Sequence, residues 1–103
     1  MKHTAALAVL GDFSFDEKTI NIHPNDGFDL GFMVTNEVVR IYFGCTLQEF
    51  QEDSAQAIYG KIHLKNECRN GSIELSLRTV EKIGKPKKIA IFRDQDRIFL
   101  QPA

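Results

Sequence analysis

Alternation of apolar and polar residues is the feature that most constrains what this chain can fold into. In the first half, the apolar positions recur at every second residue over four stretches: Leu7, Val9, Phe13 and Phe15; Ile20 and Ile22; Phe28, Leu30, Phe32 and Val34; Val39, Ile41 and Phe43. A period of two is typical of β-strands with one buried face. The intervening "HPNDG" and "TNE" favour turns, because Gly and Asn tolerate positive φ. The pattern therefore predicts an antiparallel meander over residues 4–43.

The alternation stops at a helix start signal. Thr46 and Glu49 have the S/T-x-x-E spacing of a capping box. Apolar residues then recur near one helical face, and Gly60 is expected to end the helix. We therefore predict the main helix over residues 47–59.

Alternation returns in the second half of the chain. It is found on both sides of an Asn-Gly turn and in two later stretches, at residues 62–64, 73–77, 89–91 and 97–102. The segment "RTVEKIG", residues 78–84, fits a short helix that ends at a glycine. The sequence thus predicts one α+β domain over residues 1–103, with a mostly antiparallel sheet of meander and hairpins, one main helix and one short helix.

The cysteine count and the first residues bear on the compartment. The chain has two cysteines, Cys45 and Cys68, whereas small secreted domains usually carry four or more. The apolar run from Thr4 to Leu10 is too short for a signal peptide or a membrane span. We therefore expect a cytoplasmic protein with reduced thiols and no membrane partner.

Charge is divided unevenly along the chain. Residues 1–60 carry three Lys or Arg against nine Asp or Glu, and residues 61–103 carry ten against five. A basic half of this kind suggests an anionic partner. The alternative is that the acidic and basic halves compensate each other, within one chain or across a dimer.

The basic half supplies the candidate contacts to nucleic acid. Lys61 and Lys65 share a strand parity, opposite to that of Ile62. Near Pro86 three lysines crowd a single loop, and positive charge gathered on one face can neutralise phosphates. The predicted contact residues are Lys61, Lys65, Arg69, Arg78, Lys85, Lys87 and Lys88. The alternative is that these side chains only keep strand edges and turns solvated.

Catalysis and metal binding have weaker signals. Cys45 lies just before the predicted main helix, where a thiol pKa can fall, so it is the candidate nucleophile. The histidines and cysteines lack the paired spacing of zinc sites, and no Walker, G-x-G-x-x-G or G-x-S-x-G motif occurs. We therefore predict a protein that is not an enzyme and has no metal or cofactor.

A series of short motifs covers the last third of the chain. Gly71 precedes an alternating strand, "EKIG" at 81–84 ends the short helix, Lys85-Pro86 follows as a linker, and "RIFLQP" at 97–102 is a last strand. In this order, residues 71–102 resemble the swapped-hairpin half of AbrB-type and MazE-type DNA-binding regulators. The resemblance implies that two protomers interleave hairpins into one barrel and that basic residues near the first hairpin contact DNA.

These observations favour a small non-enzymatic binding module that forms a homodimer and binds nucleic acid through its basic half. A dimer is also expected because a meander with hairpins leaves strand edges that a second copy can cover. The first alternative is a protein-binding inhibitor, antitoxin or immunity protein whose acidic half covers a basic partner. An enzyme that uses Cys45 is the second alternative.

Overall fold

A computed structural model describes residues 1–13 and 16–103, in which the longer strands close into a seven-stranded barrel. The strands are β1 (Lys2–His3), β2 (Leu7–Phe13), β3 (Thr19–Ile22), β4 (Asn36–Tyr42), β5 (Ile58–Leu64), β6 (Ser72–Ser76), β7 (Lys88–Asp94) and β8 (Arg97–Pro102). The helices in this part of the chain are α1 (Pro24–Asp29), α2 (Leu47–Gln51) and α3 (Leu77–Lys82). The order around the barrel is β7-β2-β6-β3-β5-β4-β8, and β8 pairs with β7 to close it. The short β1 pairs with the C-terminal part of β7, on the same edge on which β2 pairs with the N-terminal part. The predicted apolar position Phe15 lies outside the described residues.

The predicted fold class, a mostly antiparallel meander with a main helix, is wrong. Among the described strands, only β4–β5 and β7–β8 are neighbours in both the sequence and the sheet. The pairings β2–β6, β3–β5 and β4–β8 are parallel, so the sheet is mixed. The Asn-Gly turn at 70–71 does not join paired strands, because β3 lies between β5 and β6. A period-two pattern locates strands but carries no record of which strands pair.

The main helix predicted for residues 47–59 is replaced by a short helix and a strand. α2 begins with the capping box of Thr46 and Glu49 but has only five residues, and Asp53 then takes a positive φ of 54°. Ile58–Leu64 form β5 instead, which pairs with β3 and β4. Helix propensity is a weak preference, and pairing on both sides with alternate residues buried in the barrel overrides it.

Residues 28–34, predicted as a strand, begin inside α1. Pro24 occupies the first turn of this helix, and His23 caps it by accepting a backbone N–H at its side chain. Beyond the helix the chain turns, and Leu30 and Phe32 become fully buried in the main core. Their period-two spacing therefore reflects a turn that inserts both side chains into the barrel rather than a strand.

Two apolar clusters stabilise the fold. The main cluster fills the barrel interior, and Val80 of α3 and Leu30 after α1 extend it. The second cluster contains Tyr42, Phe50 and Phe99. It lies on the outer face of β4 and β8, because residues adjacent to Tyr42 and Phe99 in the chain belong to the main cluster. α2 and its flanking segments are thus packed against the outside of the barrel.

The closed barrel bears on the expected homodimer. Each of the seven longer strands pairs with a neighbour on both sides. The open strand edges on which the expectation was based are therefore filled within one chain. The homodimer stays a prediction.

Truncation of Phe50 tests the second cluster. Phe50→Ala should lower the free energy of unfolding by about 3 kcal/mol or more, because its ring is fully buried between Tyr42 and Phe99. Denaturant-induced unfolding measures the change. Phe28→Ala is the matched control, since this ring is 59% exposed, and we expect a change within about 0.5 kcal/mol. Equal stability of Phe50→Ala and the wild type would show that α2 does not contribute to the folded core.

Candidate nucleic-acid interface

All seven predicted contact residues are exposed, and the structure distributes them over several elements. Lys61 is on β5, Arg78 is on α3, and the others lie in or beside two connections: Lys65 and Arg69 between β5 and β6, and Lys85, Lys87 and Lys88 between α3 and β7. By the shorter way around the barrel, β4 and β8 lie between β5 and β7. Lys61 and Lys88 therefore face different sides of the molecule. The predicted set forms two separate basic regions rather than one face.

The first region is a row of basic side chains along β5, here called the β5 row. It consists of Lys61, His63 and Lys65 at alternate positions. Ile62 and Leu64 between them are buried in the barrel, so the row lies on the outer face. Alternate residues of a strand are about 6.6 to 6.8 Å apart. Lys61 and Lys65 are exposed and form no ion pair with the described residues.

His63 is the half-buried member of the row. Its Nδ1 contacts Oδ1 of Asn36 on β4. Burial lowers the pKa of His63, and the nearby charges of Lys65 and Lys61 lower it further. The imidazole is therefore neutral near neutral pH, and the two lysines carry the positive charge of the row.

Lys18 lies next to the β5 row, although no sequence pattern predicts this position. The backbone N–H of Lys61 donates to the carbonyl oxygen of Lys18 at 2.8 Å. Gly60 permits this approach, because a Cβ at that position would lie 2.2 Å from the same carbonyl oxygen. A glycine inside a strand pattern is a signal of close backbone approach, but it does not say which segment approaches. The side chain of Lys18 is exposed.

Two exposed apolar side chains lie beside the row and were also missed by the sequence patterns. Tyr59 is 69% exposed and Val38 is 60% exposed. Across the β4–β5 ladder, Val38 is opposite Lys61, and Tyr59 precedes Lys61 by two residues on the same face. These side chains line an open groove, here called the β5 groove, together with Lys18, Thr19 and His63. The site therefore combines exposed cations with an exposed aromatic ring.

The second region, here called the linker cluster, consists of Lys85, Lys87 and Lys88. It begins where α3 ends. Gly84 has a φ of +85° and Lys85 a φ of +54°, and the N–H of Lys85 donates to the carbonyl of Val80 at 2.8 Å. This is the hydrogen bond of a Schellman motif, in which glycine readily takes the left-handed conformation. The end of α3 thus fixes the direction in which the linker leaves the helix.

The backbone of the linker cluster is anchored beyond Lys85 as well. The carbonyl of Lys87 accepts the N–H of Val9 at 2.9 Å, and the carbonyl of Lys88 accepts the N–H of Ala103 at 3.0 Å. The three lysine side chains are exposed. The cluster therefore presents exposed cationic side chains from a backbone that hydrogen bonds hold in place.

The last two predicted residues lie apart from each other. Arg78 is close to Glu17, whose pKa is lowered chiefly by its hydrogen bond with Lys82 and further by the charge of Arg78. The charge of Lys18 also acts on Glu17, so Arg78 and Lys18 belong to the same end of the barrel. Arg69 lies in the loop after β5, where its carbonyl accepts the N–H of Ser72 at 3.1 Å.

Ion pairs account for part of the uneven charge. Among the described residues there are five pairs, and three of them join the acidic half of the chain to the basic half: Glu17 with Lys82, Arg40 with Asp96, and Asp53 with Arg97. Strands from both halves are interleaved around the barrel, which brings these charges together. Compensation within one chain thus occurs, and it leaves the β5 row and the linker cluster without acidic partners among the described residues.

The surroundings of the two thiols raise their pKa values, which does not favour a nucleophile. Both cysteines are free, and Cys68 is buried. Burial and the nearby charge of Glu49 raise the pKa of Cys45, and burial is the main cause that raises the pKa of Cys68 to about 12. The thiolate is the reactive form, so a raised pKa lowers reactivity at neutral pH.

Among the side chains that the structure describes within residues 1–13 and 16–103, no three His, Cys, Asp or Glu are grouped as metal ligands would be. In the same ranges, no helix has the length and apolar character required to cross a membrane.

The chain matches no protein-family model, no curated protein and no solved structure. Its function therefore has to be inferred from the surface itself.

The pKa of His63 tests the arrangement of the β5 row. Lys65→Gln should raise this pKa, because one of the two nearby positive charges that lower it is removed. NMR titration of the His63 ring protons measures the shift, and Lys87→Gln, on the other side of the barrel, should leave it unchanged. Because the pKa of His63 is lower in the folded protein than in the unfolded chain, its contribution to stability is present above about pH 6.5 and is lost as the pH falls through the folded pKa. An equal pKa of His63 in Lys65→Gln and in the wild type would contradict the placement of Lys65 near His63.

Proposed function

We propose that the protein is a small non-enzymatic module that binds nucleic acid through the β5 row and Lys18. The observation that carries this proposal is the row itself. Lys61 and Lys65 are exposed on one outer face without an acidic partner among the described residues, and the backbone contact at Gly60 brings Lys18 beside Lys61. Lysines that contact phosphates release condensed counterions, which favours binding at low salt.

The linker cluster supports the same function as a second contact region. Its backbone is anchored at Lys85, Lys87 and Lys88, so contact with phosphate orders only the side chains. Since it faces another side of the barrel, it serves a longer strand that passes around the molecule. Arg69 and Arg78 complete the predicted contacts.

The order of elements over residues 71–102 adds an indirect argument. This segment contains β6, α3, β7 and β8 in succession. The AbrB-type and MazE-type pattern has the same order of strand, short helix, strand and strand. Kinship with these regulators, and the homodimer that it implies, are part of the proposal.

A protein partner is the second candidate, favoured by a different surface. Phe28, Met33 and Val34 are exposed, Met33 by 86%, and the exposed Asp29 lies among them. Exposed apolar side chains near an exposed acid favour a surface that binds a protein of opposite charge. This surface belongs to the acidic half and suits an inhibitor, antitoxin or immunity protein.

The salt dependence of binding tests the proposed function. We expect fluorescence anisotropy with labelled oligonucleotides to give a logarithm of the binding constant that falls linearly with the logarithm of salt concentration. The slope should be about −0.7 per phosphate neutralised on a single strand and about −0.9 on a duplex. Lys61→Ala combined with Lys65→Ala should reduce the magnitude of the single-strand slope by roughly 1.4, because two phosphate contacts are lost.

A matched variant separates the two basic regions. Lys85→Ala combined with Lys87→Ala removes the same charge from the other side of the barrel, and it should have the smaller effect on a short oligonucleotide. A larger effect of this variant would place the interface on the linker cluster and contradict the β5 row. A wild-type protein that binds neither single strands nor duplex at low salt would overturn the proposal in favour of a protein partner.

A further inference from the structure

We propose that an unpaired base stacks on Tyr59 in the β5 groove, so that the preferred ligand is a single-stranded nucleic acid. This inference deepens the proposed function and rests on it. It assigns a binding role to a side chain that is neither charged nor part of the predicted basic set.

The alignment of Tyr59 with the β5 row is the first argument. Tyr59, Lys61 and His63 occupy alternate positions on the outer face of β5, and Lys65, whose N–H donates to the carbonyl of Ile22 at 2.9 Å, continues this spacing directly after the strand. A nucleic-acid strand that runs along β5 can place a base on the ring while its phosphates reach the lysines. Aromatic platforms flanked by a cationic track are how proteins bind single strands without reading their sequence.

The surroundings of the ring are the second argument. Tyr59 is 69% exposed, although burial of its ring would favour folding, and the neighbouring Val38 is 60% exposed. Val38 is diagonal to Tyr59 across the β4–β5 ladder, and the two side chains supply the apolar floor of the β5 groove. Lys18 and Lys61 stand at the rim of this floor. An apolar floor with a cationic rim matches a base and its adjoining phosphates.

The turn at 16–19 holds the rim in place. One carboxylate oxygen of Asp16, Oδ1, accepts the backbone N–H of Lys18 at 2.9 Å and the hydroxyl of Thr19 at 3.1 Å. The acid is thereby engaged within the turn, and it lines the groove together with Lys18 and Thr19. The negative charge of Asp16 on this side favours a path in which the phosphates follow the lysines.

A single strand and a duplex would use this surface differently. The bases of a duplex are stacked on one another and cannot offer a face to Tyr59, so a duplex contacts only the cations. A single strand gains the stacking contact in addition. Stacking of one base corresponds to roughly a 5- to 150-fold difference in affinity.

The composition of the chain provides a direct signal for this contact. The protein has two tyrosines and no tryptophan. Tyr42 is buried and bonded to Asp53, whereas Tyr59 is exposed. Quenching of intrinsic tyrosine fluorescence by an unlabelled oligonucleotide, corrected for absorption, therefore reports on Tyr59.

Substitutions at Tyr59 provide the decisive test. The probes are an eight-nucleotide single strand, in DNA and RNA form, the same DNA with abasic sites, and a duplex. Tyr59→Ala should weaken binding of the single strand by roughly 5- to 150-fold, leave duplex and abasic DNA unchanged, and keep the salt slope. Tyr59→Phe should bind the single strand within about twofold of the wild type, because its ring still stacks, and should lose the quenching signal. Phe28→Ala is the matched control, since this aromatic residue is also more than half exposed and its loss should not change affinity for nucleic acid.

The outcomes distinguish the inference from the proposed function. Binding that depends on Lys61 and Lys65 but not on Tyr59, or that falls equally for single strand and duplex in Tyr59→Ala, overturns stacking and leaves the nucleic-acid function standing. Absence of binding to every probe at low salt overturns both. The inference is confirmed if Tyr59→Ala loses affinity for the single strand but not for the duplex, and if the single strand quenches tyrosine fluorescence of the wild type.

Discussion

The pairing of β3 with both β5 and β6 is the constraint on which the rest of the structure depends. β3 has only four residues, yet it hydrogen-bonds on both sides, and its Ile20 and Ile22 are fully buried in the barrel. It separates β5 from β6 and completes the ring that a meander would leave open. Its parallel alignment with β5 also sets the turn at 16–19 beside Lys61, which places Lys18 next to the β5 row. The hydrogen bonds that close the barrel therefore also assemble the candidate site.

The cations of the basic half divide into two groups with different roles. Three of them are engaged within the fold. Lys82 pairs with Glu17 at 2.5 Å, and Arg93 donates to the Leu30 carbonyl at 2.9 Å. Arg97 is buried against the ring of Phe50, donates to that residue's carbonyl and pairs with Asp94. For Arg97, the buried member of the three, these contacts satisfy a charge that would otherwise be costly to bury. The other seven are exposed and remain available to an anionic partner. The position of each charge therefore indicates a binding surface better than the net charge of a sequence segment does.

The sequence could locate much of the secondary structure but not its arrangement. Strands form at 19–22, 36–42 and 88–94, where apolar residues alternate, and the capping box marks the start of α2. The end of α2 could not be predicted, because it depends on β5 gaining partners on both sides. At the site, Lys61 and Lys65 share a face by strand parity alone. Lys18, Val38 and Tyr59 could not be added, because they meet only after β3, β4 and β5 have paired.

What the sequence by itself determined is local: the alternation that makes strands, the cap that starts a helix and the Gly84 that ends one. Tertiary structure decided which strands are neighbours, which charges form pairs and which aromatic ring stays exposed. The physical reason is that strand periodicity and capping act over a few residues, whereas parallel pairing and barrel closure join segments far apart in the chain. Tyr42 and Tyr59 show the difference, since both lie in strands, and packing of α2 outside the barrel buries Tyr42 and leaves Tyr59 in solvent.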